Sequence, residues 1–274
     1  MKIKKLFLYK GKFQIWRILI TESNKLIVET RDIEKKEAFF NCLDIESGKK
    51  FFTDYQFEEK FWIGIEDIYK DIIFLHKFAK PDLPGHKHII AFDINSQQIL
   101  WENPDYSFLF ILNDKIYAYR QKFENRSYYA LDILTGNVVK DCGTDFREIN
   151  KLNEIAANKK DFSQYVFPVP FNSPGIDNFE INEIIAEEIK NLEIVGDVEY
   201  NKFNNFLLMN YHQKKSGTFL ENIFKIYDLK TNREVLNETL NSNANAFVPD
   251  SFFVYKNMLV LLIEKTGLKV YKLN

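Results

Sequence analysis

Four histidines and a scatter of carboxylates are the residues of this sequence best equipped to act on a ligand. His86 and His88 stand two apart in GHKH, close enough to share an ion. His76 and His212 occupy comparable places in the apolar runs DIIFLHKF and NFLLMNYHQ. Nothing completes a metal-binding pattern: the chain has no HExxH and no CxxC, and Cys42 and Cys142 lie 100 residues apart. The expectation is therefore no metal and no cofactor. Both cysteines read as small core or edge residues. A second chemistry needs two carboxyl groups, the minimum for acid and base roles at a glycosidic bond. Glu66 in WIGIEDIY and Asp197 in VGDVEY stand at equivalent places when Tyr69 is set against Tyr200, with Glu22 and Asp114 near strand ends. There is no GxSxG elbow and no phosphate-binding glycine pattern.

The elements that must position these residues announce themselves by repetition. Four apolar runs end in nearly the same phrase: LDIESG, FDINSQ, LDILTG and YDLKTN. In each, a strand delivers an aspartate to the first position of a tight turn, where its carboxylate accepts backbone N–H groups. Gly or Asn then supplies positive φ before the next strand. Asp44, Asp93, Asp132 and Asp228, with Gly48 and Gly136, are thus expected to be structural turn residues. Two strand-like runs precede each phrase and one follows, which makes four antiparallel strands per unit, the pattern of a propeller blade.

The chain ends complete the count. SFFVYKN, MLVLLIEK and GLKVYKLN supply three strands and stop, while IKKLFLYKG is an orphan strand at the start. Pairing the orphan with the final strand removes two exposed sheet edges and closes a ring. The expectation is an all-β fold: one five-bladed β-propeller domain over residues 1–274, closed by its N-terminal strand. Its blades run near 13–58, 61–105, 106–143, 193–241 and 250–274 plus 3–10. Six or seven blades, one of them degenerate, is the alternative.

The phrase resembles the apolar-Asp-x-x-Thr-Gly repeat of quinoprotein-like (PQQ-like) and related, WD40-like propellers, in which a Trp often follows one strand later, as Trp101 does here. The resemblance covers four short segments and implies architecture, in an uncharacterised bacterial single-propeller family. It does not import the cofactor, because the vicinal disulfide and calcium ligands of quinoprotein dehydrogenases have no counterpart.

The aspartates are spaced by 49, 39 and then 96 residues, so a helical and loop insertion over 145–190 interrupts the pattern between blades three and four. Phe146, Ile149, Leu152, Ile155 and Ala156 form a helical stripe with Thr144 or Asp145 as cap, and Asp177 with Glu180 stand at capping-box spacing before a second stripe. Between them SQYVFPVPFNSPG is interrupted by prolines and unsuited to an interior strand. As a blade-to-blade crossing, the insertion should share a face with the loops PDLPGHKH and QKKSGTF. Tyr165, Phe167 and Phe171 are then candidate anchors for a protein or small molecule, with His86 and His88 beside them. The expected function is a non-catalytic interaction or small-ligand platform; the alternative is a carbohydrate-active or other small-molecule enzyme using Glu66 and Asp197.

Composition narrows the partners. A formal charge of −2 leaves no broad positive field for nucleic acid. No apolar run approaches the roughly 18 residues of a membrane span, and the apolar stretch after the first lysines is too short for a signal peptide, so a cytoplasmic location is expected.

Overall fold

The computed structural model of the chain describes residues 2–78, 85–121, 125–171, 179–215 and 217–274. After β1 (Ile3–Lys10), the strands β2 (Gln14–Ile20), β3 (Lys25–Asp32), β4 (Glu37–Asp44) and β5 (Lys50–Tyr55) pair in chain order as an antiparallel sheet. A second sheet follows from β6 (Ile63–Tyr69), β7 (Ile72–Phe78), β8 (His86–Asp93) and β9 (Gln98–Asn103), and a third from β10 (Ser107–Leu112), β11 (Lys115–Gln121), β12 (Arg126–Asp132) and β13 (Val138–Gly143). The insertion contains α1 (Phe146–Lys159), the two-residue strands β14 (Tyr165–Val166) and β15 (Val169–Pro170), and α2 (Phe179–Ile189). A fourth sheet is built from β16 (Glu199–Phe203), β17 (Phe206–Lys214), β18 (Leu220–Asp228) and β19 (Arg233–Ala244), with β15 along β16. The fifth comprises β20 (Phe252–Tyr255), β21 (Met258–Ile263) and β22 (Gly267–Leu273). Strand β1 pairs antiparallel with β22 from Ile3–Leu273 to Lys10–Gly267, and β14 flanks β20 at the opposite edge.

Burial differs from strand to strand. Second strands are covered on both faces: seven of the eight residues of β3, and Phe206 to His212 of β17, are buried, polar members such as Glu29, Arg31 and His212 included. Fourth strands β5, β9 and β13 are mostly exposed and still carry apolar side chains there, among them Phe51, Ile99, Leu100, Val138 and Val139. Cys42 lies in the core of the first sheet, where burial pushes its thiol up to about 12, leaving it inert.

The turn phrase behaves as a local device. Asp93 Oδ2 accepts from Ser96 N and Oγ at 2.8 and 2.6 Å; Asp132 Oδ1 accepts from Leu134 N, Thr135 N and Thr135 Oγ1. Asp228 Oδ1 accepts from Lys230 N, and the Asp44 N–H donates to Lys49 O. Gly48, Gln97, Gly136 and Asn232 all take positive φ at corresponding places.

The chain divides into two compact units. One holds residues 13–45 and 49–161, the other 1–12, 46–48 and 162–274. In the first, Phe40, Cys42 and Phe52 pack with Ile65, Leu75 and Phe92, joining the first sheet to the second, and Phe74 and Ala91 pack with Ile116 and Leu131, joining the second to the third. Helix α1, capped by Asp145 through the Arg147 N–H, sets Ile149 and Ala156 against Phe110, Leu112 and Tyr128. Phe146 and Ile155 of its stripe stay exposed. In the second unit, Phe206, Phe224 and Phe252 join the fourth and fifth sheets, and α2 buries Ile181, Ile184 and Ile185 against Tyr200, Met209 and Tyr211. Each helix covers a sheet flank, and the two short strands of the insertion, β14 and β15, lie at the edges of the fifth and fourth sheets. Asp177, read as half of a capping box, lies outside the described residues. No described helix is long and apolar enough to cross a membrane.

Candidate functional site

Three neighbouring strands of the second sheet bring Glu66, His76 and His86 together. Glu66 owes its direction to a bulge. The first strands of the first three sheets each break register at the same place, leaving Trp16, Glu66 and Leu109 outside the ladder. A bulged residue is re-aimed relative to strict alternation, and only in the second sheet is it a carboxylate. His76 on β7 sits opposite Gly64 and Ile89, and His86 opens β8 opposite Phe78.

Glu66 Oε1 lies 2.8 Å from His86 Nδ1 and 3.1 Å from His76 Nδ1. The two rings stack at 3.5 Å between centroids, 8° from parallel. Phe78 presents its edge to both rings and in turn meets Trp62. His76 is 4% exposed and the His86 side chain 39%, so the cluster is walled on one side and open on the other. Burial raises the Glu66 pKa, but the His76 and His86 rings outweigh it and hold the carboxyl below its usual range. The 3.1 Å contact to His76 is off the line of a hydrogen bond, and neither nitrogen of that buried ring has a hydrogen-bond partner among the described residues.

The surroundings are charged but internally paired. Arg31 donates Nε and Nη2 to Glu29 Oε1 at 2.9 and 2.6 Å and reaches Phe61 O and Ile63 O, while Lys160 pairs with Asp67 at 2.9 Å.

The residues singled out from sequence fall out differently. His88 does not converge with His86: the ladder breaks register between His76 and Lys77, His88 takes a φ of 63°, and its Nε2 lies 3.1 Å from Glu102 Oε2. The spacing of two was misleading because a bulge destroys the alternation it assumed. Glu66 and Asp197 belong to different units, and Asp197 is exposed ahead of β16. Asp114 accepts from the Tyr69 hydroxyl at 2.6 Å. His212 is fully buried, its Nε2 accepting from Val248 N at 3.1 Å. Residues 81–84 of the PDLPGHKH segment, and Ser216 of QKKSGTF, lie outside the described residues.

Of the aromatic candidates, Phe171 packs under α2 against Tyr200. Tyr165 and Phe167 stack at 5.5 Å, 4° from parallel, with Phe162 edge-on to both and Phe253 tilted against both. Phe162 is 56% and Phe167 49% exposed. Phe162 was missed, although it stands three residues before Tyr165 in an uncharged stretch.

Residues 20–101, which include Glu66, His76 and His86, match a family described as a domain of unknown function, DUF4905. No curated protein sequence matches the chain. Among solved structures it is similar to the Dos1 propeller (11% identity, 94% of this chain and 68% of that one, TM-score 0.33). It is also similar to the AfRom2 CNH domain (8% identity, 100% and 99%, TM-score 0.33) and to a eukaryotic initiation factor (9% identity, 91% and 48%, TM-score 0.35).

Proposed function

We propose that the chain is a five-bladed β-propeller acting as a non-catalytic interaction platform, with the aromatic segment Phe162–Phe167 as its contact surface for a partner polypeptide. The architecture is supported by sheets that pack successively within each unit and by the completion of the last sheet by β1. A recurrent contact adds to this: the outermost strands carry Phe7 over Gly48 and Trp101 over Gly136.

The observation that carries the function is the stack of exposed Phe167 on half-buried Tyr165, flanked by exposed Phe162. Residues 162–171 contain no charged side chain, and interface centres are rich in aromatics and poor in charge. Flat, rigid rings bring contact area at little cost in side-chain entropy. Burial pushes the Tyr165 phenol up to about 12, which keeps it neutral.

The enzyme reading has less support. Acid–base work at a glycosidic bond needs one carboxyl kept protonated, whereas Glu66 is driven toward its anion. The test is a photo-reactive phenylalanine analogue placed at Phe167 in the cell, with one at exposed Ile33 as control. A discrete polypeptide adduct at 167 and not at 33 is expected; no adduct at 167 overturns the platform reading.

A further inference from the structure

The Glu66–His76–His86 cluster has a composition that a contact surface does not explain. One donor atom from each residue lies within 4.8 Å of the others. Around a tetrahedral zinc ion, bonds of about 2.0–2.2 Å place donors roughly 3.3 Å apart, so the three need close by only about 1.5 Å at most. The two His–Glu distances, 2.8 and 3.1 Å, already lie inside that spacing, so only a small outward shift is needed there.

A second observation is independent of this convergence. His76 is 96% buried by its 4% exposure, yet both its ring nitrogens lack a hydrogen-bond partner among the described residues. Leaving a buried polar group unsatisfied costs about 1–3 kcal/mol, and native structures rarely tolerate it without reason. A coordinated cation would satisfy the nitrogen that faces Glu66. Charge agrees: the neighbouring Arg31 and Lys160 are paired with Glu29 and Asp67, leaving the Glu66 carboxylate as the site's counter-charge.

We infer that Glu66, His76 and His86 bind one divalent first-row transition ion, with two imidazole nitrogens and one carboxylate oxygen as protein ligands. Two nitrogens and one oxygen suit zinc, cobalt, nickel or ferrous iron, whereas magnesium and calcium require oxygen-rich cages. To bind, the stacked rings splay and the carboxylate swings from between the two Nδ1 atoms to become the third ligand. The half-exposed His86 is the mobile member. Three protein ligands leave a coordination position open to solvent on its side, so the site is built to hold a water or an exchangeable ligand.

The full chain, freed of metal, is titrated with Zn2+ by calorimetry and with Co2+ by visible absorption. One ion per chain is expected, with the visible bands of a low-symmetry cobalt site and a rise in Tm in zinc. His86→Ala, chosen because the ring is partly exposed and its loss is compatible with folding, should weaken binding at least about tenfold and abolish the Tm rise. Glu66→Gln should do the same, while His88→Ala should bind as the parent does. Absence of binding by the parent chain, or equal binding by folded His86→Ala, overturns the assignment; so does loss of binding in His88→Ala, which would place the ion at Glu102 instead. None of these outcomes bears on cross-linking at Phe167, so the two readings fail separately.

Discussion

His76 and His86 lie ring on ring, 3.5 Å apart and 8° from parallel, each turning Nδ1 toward the same oxygen of Glu66. The arrangement needs an empty space on the neighbouring strand, and Gly64 leaves it. A Cβ at that position would stand 3.0 Å from His76 Cε1 and 3.3 Å from Arg31 Nη2. The glycine is therefore there for close approach and not for its backbone angle.

Gly64→Ala is accordingly expected to push the imidazole off Glu66 and cost about 1–3 kcal/mol, the usual penalty for overfilling a packed site. Urea unfolding measures the stability and zinc titration the geometry. An alanine variant matching the parent in both would mean that His76 relaxes freely and that its position is not fixed by the glycine.

Gly136 and Gly143 offer a matched pair for separating crowding from backbone strain. Both take φ near +70°, but a Cβ on Gly136 would fall 2.5 Å from Trp101 Cε3, while nothing lies within 4 Å of one on Gly143. Gly143→Ala should cost about 1–2 kcal/mol, the left-handed penalty alone. Gly136→Ala should cost about 2–4 kcal/mol, with overpacking added, and the excess should shrink in a Trp101→Ala background. Denaturant midpoints of the two glycine variants, Trp101→Ala and the Gly136→Ala/Trp101→Ala double decide it.

What was legible in the sequence was whatever is decided locally. The Asp93 and Asp132 turns and the Asp145 cap follow from contacts within a few residues, and β1 as the missing strand follows from counting. Glu66, His76 and His86 converge for reasons no spacing reveals: a bulge at Glu66, a register break beside His88, and pairing across three strands. Phe167 and Phe171 show the same limit, since two similar side chains four residues apart divide between solvent and the floor beneath α2. Repeats conceal as well as reveal, because the bulge that carries Glu66 carries Trp16 and Leu109 in the equivalent sheets.

Glu29 and Arg31 form a buried pair, their side chains 1% and 7% exposed, with Arg31 also held by two backbone carbonyls and Glu29 Oε2 3.4 Å from the Ile65 N–H. Removing one partner of such a pair strands a charge at a cost of about 3–5 kcal/mol, whereas replacing both by apolar residues is often nearly neutral. Arg31→Met should fall in the first range, and Glu29→Leu with Arg31→Met should recover most of the loss. Equal stabilities of the single and double variants would mean that water reaches the lone carboxylate.

His212 supplies the pH prediction. It is fully buried against Phe247, its Nε2 accepts from Val248 N, and its Nδ1 has no hydrogen-bond partner among the described residues. Burial pushes its pKa from an ordinary 6.5 down to about 4. Between those values the unfolded chain binds a proton that the folded chain refuses, so stability rises with pH across the window and is lost on acidification from about 6.5 to about 4. Below about 4 this residue contributes no further loss. At 1.36 kcal/mol per pH unit, the step from pH 7 to pH 5 is worth about 2 kcal/mol. His212→Gln keeps an acceptor for the Val248 N–H but cannot titrate, so its unfolding free energy should fall by about 2 kcal/mol less over that step. Parallel pH profiles for the two proteins would show that the folded chain accommodates an imidazolium at this position.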